Sequence, residues 1–218
     1  MLLDIDGTLV DSNELHTDCW VEAFAHFDKH VERQDVRVQI GKGGDLLVPD
    51  TLNAREMRKF GEPLKKYRGE LWKKKYIEQV KPFPGVRDGL HTLHDRGIRL
   101  AFASSSNPDE VEYYVELLGV GDLLEGTTSK EDAKFSKPSP EIFQAALDRV
   151  KSDKARTVAV GDTPYDILAA HRVALACVAL RCGGFAEESL GKAELVFDDL
   201  TSMIREIERI DDYFREDE

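Results

Sequence analysis

The sequence predicts an α/β fold: a doubly wound, parallel, Rossmann-like sheet with an all-helical segment inserted into it. Two patterns carry this reading. From residue 81 onward, short strand-like runs alternate with amphipathic helical stretches, as parallel strands with helical crossovers require. Between residues 11 and 80 the alternation stops and only helical spacing remains. The predicted division is 1–10 and 81–218 for the core, with 11–80 as the insertion.

The strands are expected at 1–5, 98–104, 123–128, 156–161, 175–180 and 194–198. The helices between them are expected at 85–96, 108–118, 140–150, 164–172 and 185–191, with 200–214 following. In the insertion, Leu64, Tyr67, Leu71, Trp72, Tyr76 and Val80 recur at helical spacing, as do Val21, Phe24, Phe27 and Val31. Pro82-Phe83-Pro84-Gly85 punctuates the return to the core. Asn107-Pro108-Asp109-Glu110, Ser139-Pro140 and Thr163-Pro164-Tyr165-Asp166 each read as a helix start with a capping residue and a proline at the first turn. Only three residues precede Asp4, so the first strand is short or its start lies upstream of Met1. The acidic tail Arg215-Glu216-Asp217-Glu218 is expected to fray.

A chain of 218 residues with 41% hydrophobic and 33% charged residues can bury a sizeable core. Its net charge of −12 argues against a general nucleic-acid binder, which needs a positive field. No apolar run is long enough to span a bilayer. The three cysteines, Cys19, Cys177 and Cys182, form no zinc-type pair and suit a reducing compartment. A cytoplasmic protein without a membrane partner is the expectation.

Asp4-Ile5-Asp6-Gly7-Thr8-Leu9 places two carboxylates two residues apart at the end of a strand. Like charges that close raise one another's pKa or demand a cation. Ser104-Ser105-Ser106-Asn107 ends a second strand, and Gly161-Asp162-Thr163-Pro164-Tyr165-Asp166 ends a third. Ligands of open parallel sheets bind outside the carboxyl ends of the strands, so Asp4, Ser104 and Asp162 converge on one site. Ser136-Lys137-Pro138 precedes a further helix.

Asp, Ser, Lys and Asp in this order resemble the four motifs of the haloacid dehalogenase superfamily, over essentially the whole chain. Within it, the helical insertion is similar to the small C1-type cap of the phosphoglycolate phosphatase and β-phosphoglucomutase group. The resemblance implies phosphoryl transfer through an aspartyl-phosphate, with Asp4 as nucleophile and Asp6 as general acid and base. Such an acid works best with a raised pKa. It also implies Mg²⁺, held by Asp4, Asp162 and the backbone carbonyl of Asp6, with Asp166 in support. Asp166 is equally placed to cap its helix.

Ser104 and Lys137 would hold the phosphoryl group. Residue chemistry does not separate Ser104 from Ser105; the resemblance selects Ser104. Ser105, Asn107, Lys42, Gly43 and His16 are expected at the substrate. Ile40-Gly41-Lys42-Gly43-Gly44-Asp45 reads as a specificity loop or as a plain glycine turn, and His16 as a hinge residue or a proton carrier. The basic run Lys65, Lys66, Lys73, Lys74, Lys75 reads as a solvated helix face, and His91, His94 and His171 as surface or packing residues.

Dehalogenases of the superfamily generally lack a second acid such as Asp6, and phosphonate hydrolases carry a small residue there, so both are disfavoured. The mutases use an arginine in the cap loop, and Gly41-Lys42-Gly43-Gly44-Asp45-Leu46-Leu47 has none. The expectation is a phosphatase for a small phosphate ester such as phosphoglycolate or a sugar phosphate. A mutase and a non-catalytic phosphate-binding protein are the alternatives. The resemblance implies a monomer, with a dimer left open.

Overall fold

The structure, a computed structural model, describes residues 1–216, so the tail at Asp217 and Glu218 lies outside the described residues. Strands β1 (Leu2–Leu3), β2 (Val10–Asp11), β3 (Lys81–Pro82), β4 (Leu100–Ala103), β5 (Leu124–Thr128), β6 (Val158–Gly161), β7 (Ala176–Leu180) and β8 (Leu195–Phe197) form two sheets. Six of them make one sheet in the order β5-β4-β1-β6-β7-β8, and every neighbouring pair runs parallel. The chain winds outward from β1 in one direction and then from β6 in the other. The winding therefore reverses at the centre, between the strands that carry Asp4 and Asp162.

Parallel sheets are covered on both faces, and these strands show how. Side chains alternate along each strand. Leu3, Leu100, Phe102, Val158, Val160, Val178 and Leu180 enter one apolar cluster. That cluster packs under the helices Val86–Asp95 and Pro108–Leu118. The intervening Leu2, Ala101, Ala103, Ala159, Cys177 and Ala179 enter the other, against the helices Glu141–Val150 and Pro164–Arg172. Small residues on this second face let those two helices sit close to the sheet.

The insertion consists of helices joined by loops and has its own apolar cluster, built on Trp20, Phe24, Ile40, Leu47, Leu64 and their neighbours. Helix Asn13–His26 opens it. A nearly continuous helical stretch from Ala54 to Gln79 closes it, with wide π-type turns at Met57–Gly61 and Trp72–Tyr76. Pro63 follows the first of these turns, and a residue without an N–H cannot keep the i→i−4 ladder intact. Chain entry and exit are paired as a short antiparallel ribbon, Val10 opposite Pro82 and Asp11 opposite Lys81. No helix among the described residues is long and apolar enough to cross a membrane.

Several elements differ from expectation. β1 ends at Leu3 because the chain turns at once: Thr8, Leu9 and Val10 all donate to the carbonyl of Ile5. The expected helix 200–214 is two helices, Leu200–Arg205 and Glu208–Glu216, and 185–191 shortens to Glu187–Leu190. Asn107 and Thr163 do begin their helices, with Glu110 and Asp166 reaching back. Ser139 does not: its helix starts at Glu141, and Pro140 in the capping position has no side chain that could accept. The lysine run does lie on a solvated helical surface, where Lys65 pairs with Glu62, Lys75 with Glu22 and Lys73 with Asp109.

Candidate active site

The turn after β1 builds the site. The N–H of Asp4 donates to Val160 at 2.9 Å, which carries the ladder one residue beyond the strand. Gly7 then adopts φ +76°, and a Cβ there would lie 2.2 Å from Asn13 Nδ2 and 2.3 Å from Asp162 Oδ2. Only glycine tolerates both the backbone and the crowding. Asp4, Ser104 and Asp162 stand at the ends of β1, β4 and β6, three adjacent strands.

Asp4, Asp162 and Asp166 are buried, and one oxygen from each lies within 4.8 Å of the others. Asp162 accepts from Thr8 Oγ1 at 2.9 Å and from Asn13 Nδ2 at 2.8 Å. Asn13 Nδ2 also reaches the carbonyl of Gly183 at 2.9 Å, and Arg37 donates to that same carbonyl from the insertion. Asp166 Oδ2 accepts from the Thr163 hydroxyl at 2.6 Å and its N–H at 3.1 Å, so this acid does cap its helix. Its Oδ1 lies 2.8 Å from Lys137 Nζ, an ion-pair distance without hydrogen-bond alignment. Lys137 Nζ also donates to Asp4 Oδ1.

Three buried carboxylates face one ammonium, and the ionisation reflects the imbalance. Burial pushes the Asp4 pKa up to about 7, against the pull of Lys137. Burial, with Asp166 and Asp4 nearby, raises Asp162 as well. Burial would lower Lys137, but Asp166 and Asp4 outweigh it and keep the ammonium charged. A cluster of hard oxygens short of positive charge fits Mg²⁺ chemically.

Asp6 departs from expectation. Burial pulls its pKa up, but His16, Ser12 and Ser106 outweigh burial and hold the carboxyl well below the ordinary range. Ser12 donates to Oδ1 at 2.7 Å, Ser106 donates to Oδ2 at 2.8 Å, and His16 Nε2 lies 2.9 Å from Oδ1. Arg68 Nη2 lies 2.5 Å from His16 Nδ1. An arginine can only donate, so Nδ1 accepts and the Nε2 proton faces Asp6; the tautomer is assigned from these partners. The imidazole stacks on Trp72, ring centroids 3.8 Å apart.

Every expected site residue except Asp162 and Asp166 lines one cavity of about 120 Å³, and those two acids sit beside Asp4. Ser104 Oγ accepts from the Ser106 N–H at 3.1 Å, while Ser105 Oγ is buried without a partner. Asn107 is committed to its helix start, its amide donating to Glu110 at 2.9 Å. Lys42 points its ammonium at Asp50, 2.9 Å away, and over the Tyr165 ring. Gly43 presses on the core, where its Cβ would meet Ser136 Oγ at 2.0 Å, and Asp45 accepts from the Ser136 N–H at 3.0 Å. The insertion is thus closed over the site.

Sequence reasoning missed Thr8, Asn13, Ser106, Arg68 and Lys130. Asn13 carried a usable signal, because it sits one helical turn before the expected His16, shortly after the Asp-x-Asp turn. Arg68 and Lys130 carried none, since only folding brings them to the cavity.

A family model for haloacid dehalogenase-like hydrolases matches residues 1–180. A pyrophosphatase PpaX of Bacillus velezensis is 29% identical over 170 residues, covering 78% of this chain and 76% of its own. A probable phosphatase IndB of Dickeya dadantii is 28% identical over 207 residues, covering 89% and 86%. A solved hydrolase from Pseudomonas syringae shares the fold with a TM-score of 0.85 at 23% identity, covering 96% of this chain and 97% of its own. The four motifs, the parallel sheet and the family match agree: this chain belongs to the haloacid dehalogenase-like hydrolases.

Proposed function

We propose that this enzyme is a Mg²⁺-dependent phosphatase that hydrolyses a small organic phosphate monoester through an aspartyl-phosphate, with residues 11–80 acting as the cap. The observation that carries the reading is Asp4 itself. It is buried, tied to Lys137 through Oδ1, and open to a small cavity that Ser104 also lines. The names of the relatives, a pyrophosphatase and a probable phosphatase, support the same reaction class.

In the first step a carboxylate oxygen of Asp4 attacks phosphorus, the bond from phosphorus to the alcohol oxygen breaks, and a proton from Asp6 goes to that oxygen. In the second, water attacks the acyl phosphate, Asp6 takes its proton, and inorganic phosphate leaves Asp4 free. Lys137 and the Ser104 hydroxyl hold phosphoryl oxygens. Asp4, Asp162, Asp166 and the Asp6 carbonyl would hold Mg²⁺, which supplies charge neutralisation for the acids and the phosphoryl oxygens.

The resting structure favours ionised Asp6, which suits the second step. For the first, Asp6 must gain a proton. Ser12 and Ser106 allow this, because a hydroxyl can turn from donor to acceptor. Phosphate release from a panel of small esters, with and without Mg²⁺, tests the proposal. Release that needs Mg²⁺ and is lost in Asp4→Asn is expected. Conversion of β-glucose 1-phosphate to the 6-phosphate without release would make the enzyme a mutase. Release that survives Asp4→Asn would refute the aspartyl-phosphate.

A further inference from the structure

Arg68 enters the cavity wall from the helix Glu62–Leu71 of the insertion. Its guanidinium lies between two indoles, 5.0 Å from the Trp20 ring centre and 5.1 Å from that of Trp72. Nη2 donates to His16, and Nε is buried with no partner. Among the described residues no carboxylate pairs with it. Arginine does not discharge in proteins, so a guanidinium held this way calls for an anion.

Lys130, in the turn after β5, lines the same cavity. Its backbone is anchored, the N–H donating to Ser106 at 2.8 Å, while its ammonium forms no ion pair among the described residues. The other cations at the cavity are neutralised, Lys42 by Asp50 and Lys137 by Asp4 and Asp166. Glu110 in the wall is already used: it accepts from the Asn107 amide at 2.9 Å and from its N–H at 3.4 Å. Arg68 and Lys130 also line the outer cleft that continues from the catalytic cavity. Two unneutralised cations therefore line the cavity where it runs into that outer cleft.

We infer that Arg68 and Lys130 form a second anion subsite, and that the preferred substrate is a phosphate ester whose leaving group carries its own negative group. A carboxylate or a second phosphate presents the planar or tripodal oxygens that a guanidinium fork binds in pairs. The inference rests on reading the site as phosphoryl-transferring. Arg68 is then a specificity residue in addition to orienting His16.

The test compares two esters that differ in the charge of the far end: 2-phosphoglycolate and 2-hydroxyethyl phosphate. Inorganic pyrophosphate is added to separate carboxylate from phosphate as the second anion. The wild type should prefer the charged ester in kcat/KM by about 10- to 100-fold. Arg68→Gln and Lys130→Gln should each shrink that ratio, and Arg68→Lys should keep part of it. A wild-type ratio near one overturns the inference. So does an unchanged ratio in Arg68→Gln with both kcat/KM values lowered together, since Arg68 would then only position His16.

If the wild type hydrolyses none of the esters, the phosphatase reading fails and calorimetric binding of the same esters decides the subsite. Tighter binding of the charged ester, lost in Arg68→Gln, upholds it; equal binding overturns it.

Discussion

Replacing Lys137 by methionine keeps most of the side-chain volume and deletes the one ammonium among Asp4, Asp162 and Asp166. Lys137 is 2% exposed, Asp4 7% and Asp166 1%, so the carboxylates left behind stay poorly solvated. Removing one partner of a buried ion pair costs about 3–5 kcal/mol, because the charge left behind stays desolvated. In a chain of this length each kcal/mol moves the melting temperature by about 2–4 °C, so a fall of roughly 6–20 °C is expected. The loss should be greatest above neutral pH. Below it, Asp4, its pKa pushed up to about 7 by burial in the wild type and higher still once the pull of Lys137 is gone, takes up a proton and no longer needs the ammonium. Mg²⁺ at about a hundred times its dissociation constant should return about 2.7 kcal/mol. Thermal unfolding followed by circular dichroism, at about pH 5 and pH 8 and with Mg²⁺ or a chelator, reads all three effects. A melting temperature within about 2 °C of wild type at pH 8 without Mg²⁺, or equal losses at both pH values, would refute the electrostatic account.

Other predictions concern the same cluster and the closed insertion. Because the folded-state pKa of Asp4 lies above its ordinary value of 3.8, the metal-free protein binds its proton more tightly when folded. Its contribution to stability is full below that value and is lost as pH rises through about 7, so stabilisation by Mg²⁺ should grow over the same window in thermal scans. Gly43→Val would drive a side chain into Ser136, where even a Cβ comes within 2.0 Å, so the insertion cannot close. Catalysis should fall at least about 10²-fold while the melting temperature changes little, and full activity would show that closure is unnecessary. Leu64→Ala, at a fully buried position of the insertion's own core, should cost about 2–5 kcal/mol in denaturant unfolding. Cys19, its thiol pushed up to about 11 by burial, should resist thiol reagents at pH 8 until the protein unfolds.

What the sequence disclosed was what local order can encode. Asp4, Ser104 and Asp162 were legible because each follows a run of strand-forming residues, and strand ends in a parallel sheet meet on one edge. The proline-marked starts at Asn107 and Thr163 were legible for the same reason, since a cap and its partner lie three residues apart. Ser139 misled because its neighbour Pro140 takes the capping place. Asp6 misled because crowding among carboxylates argued for a raised pKa. The donors that reverse it, Ser12, His16 and Ser106, converge from two segments nearly a hundred residues apart. Arg68 could not be foreseen: its meaning comes from Trp20, Trp72 and His16, which only folding gathers around it. The short β1 follows from hydrogen bonds to Ile5 that no apolar pattern records.

The ribbon of Val10–Asp11 against Lys81–Pro82 has a consequence for how such an enzyme diversifies. Entry and exit of the insertion lie side by side, separated by one inter-strand spacing, about 4.8 Å. Residues 12–80 can be exchanged between those two points while the parallel sheet keeps its winding. The exchange would not be neutral for chemistry, however. Asn13 steadies Asp162 and His16 steadies Asp6, and both ride on the first helix of the exchanged piece. If the insertion sets substrate preference as proposed, a new one would change it, and would also have to supply its own amide and imidazole to Asp162 and Asp6. Selectivity and turnover in this chain are inherited together.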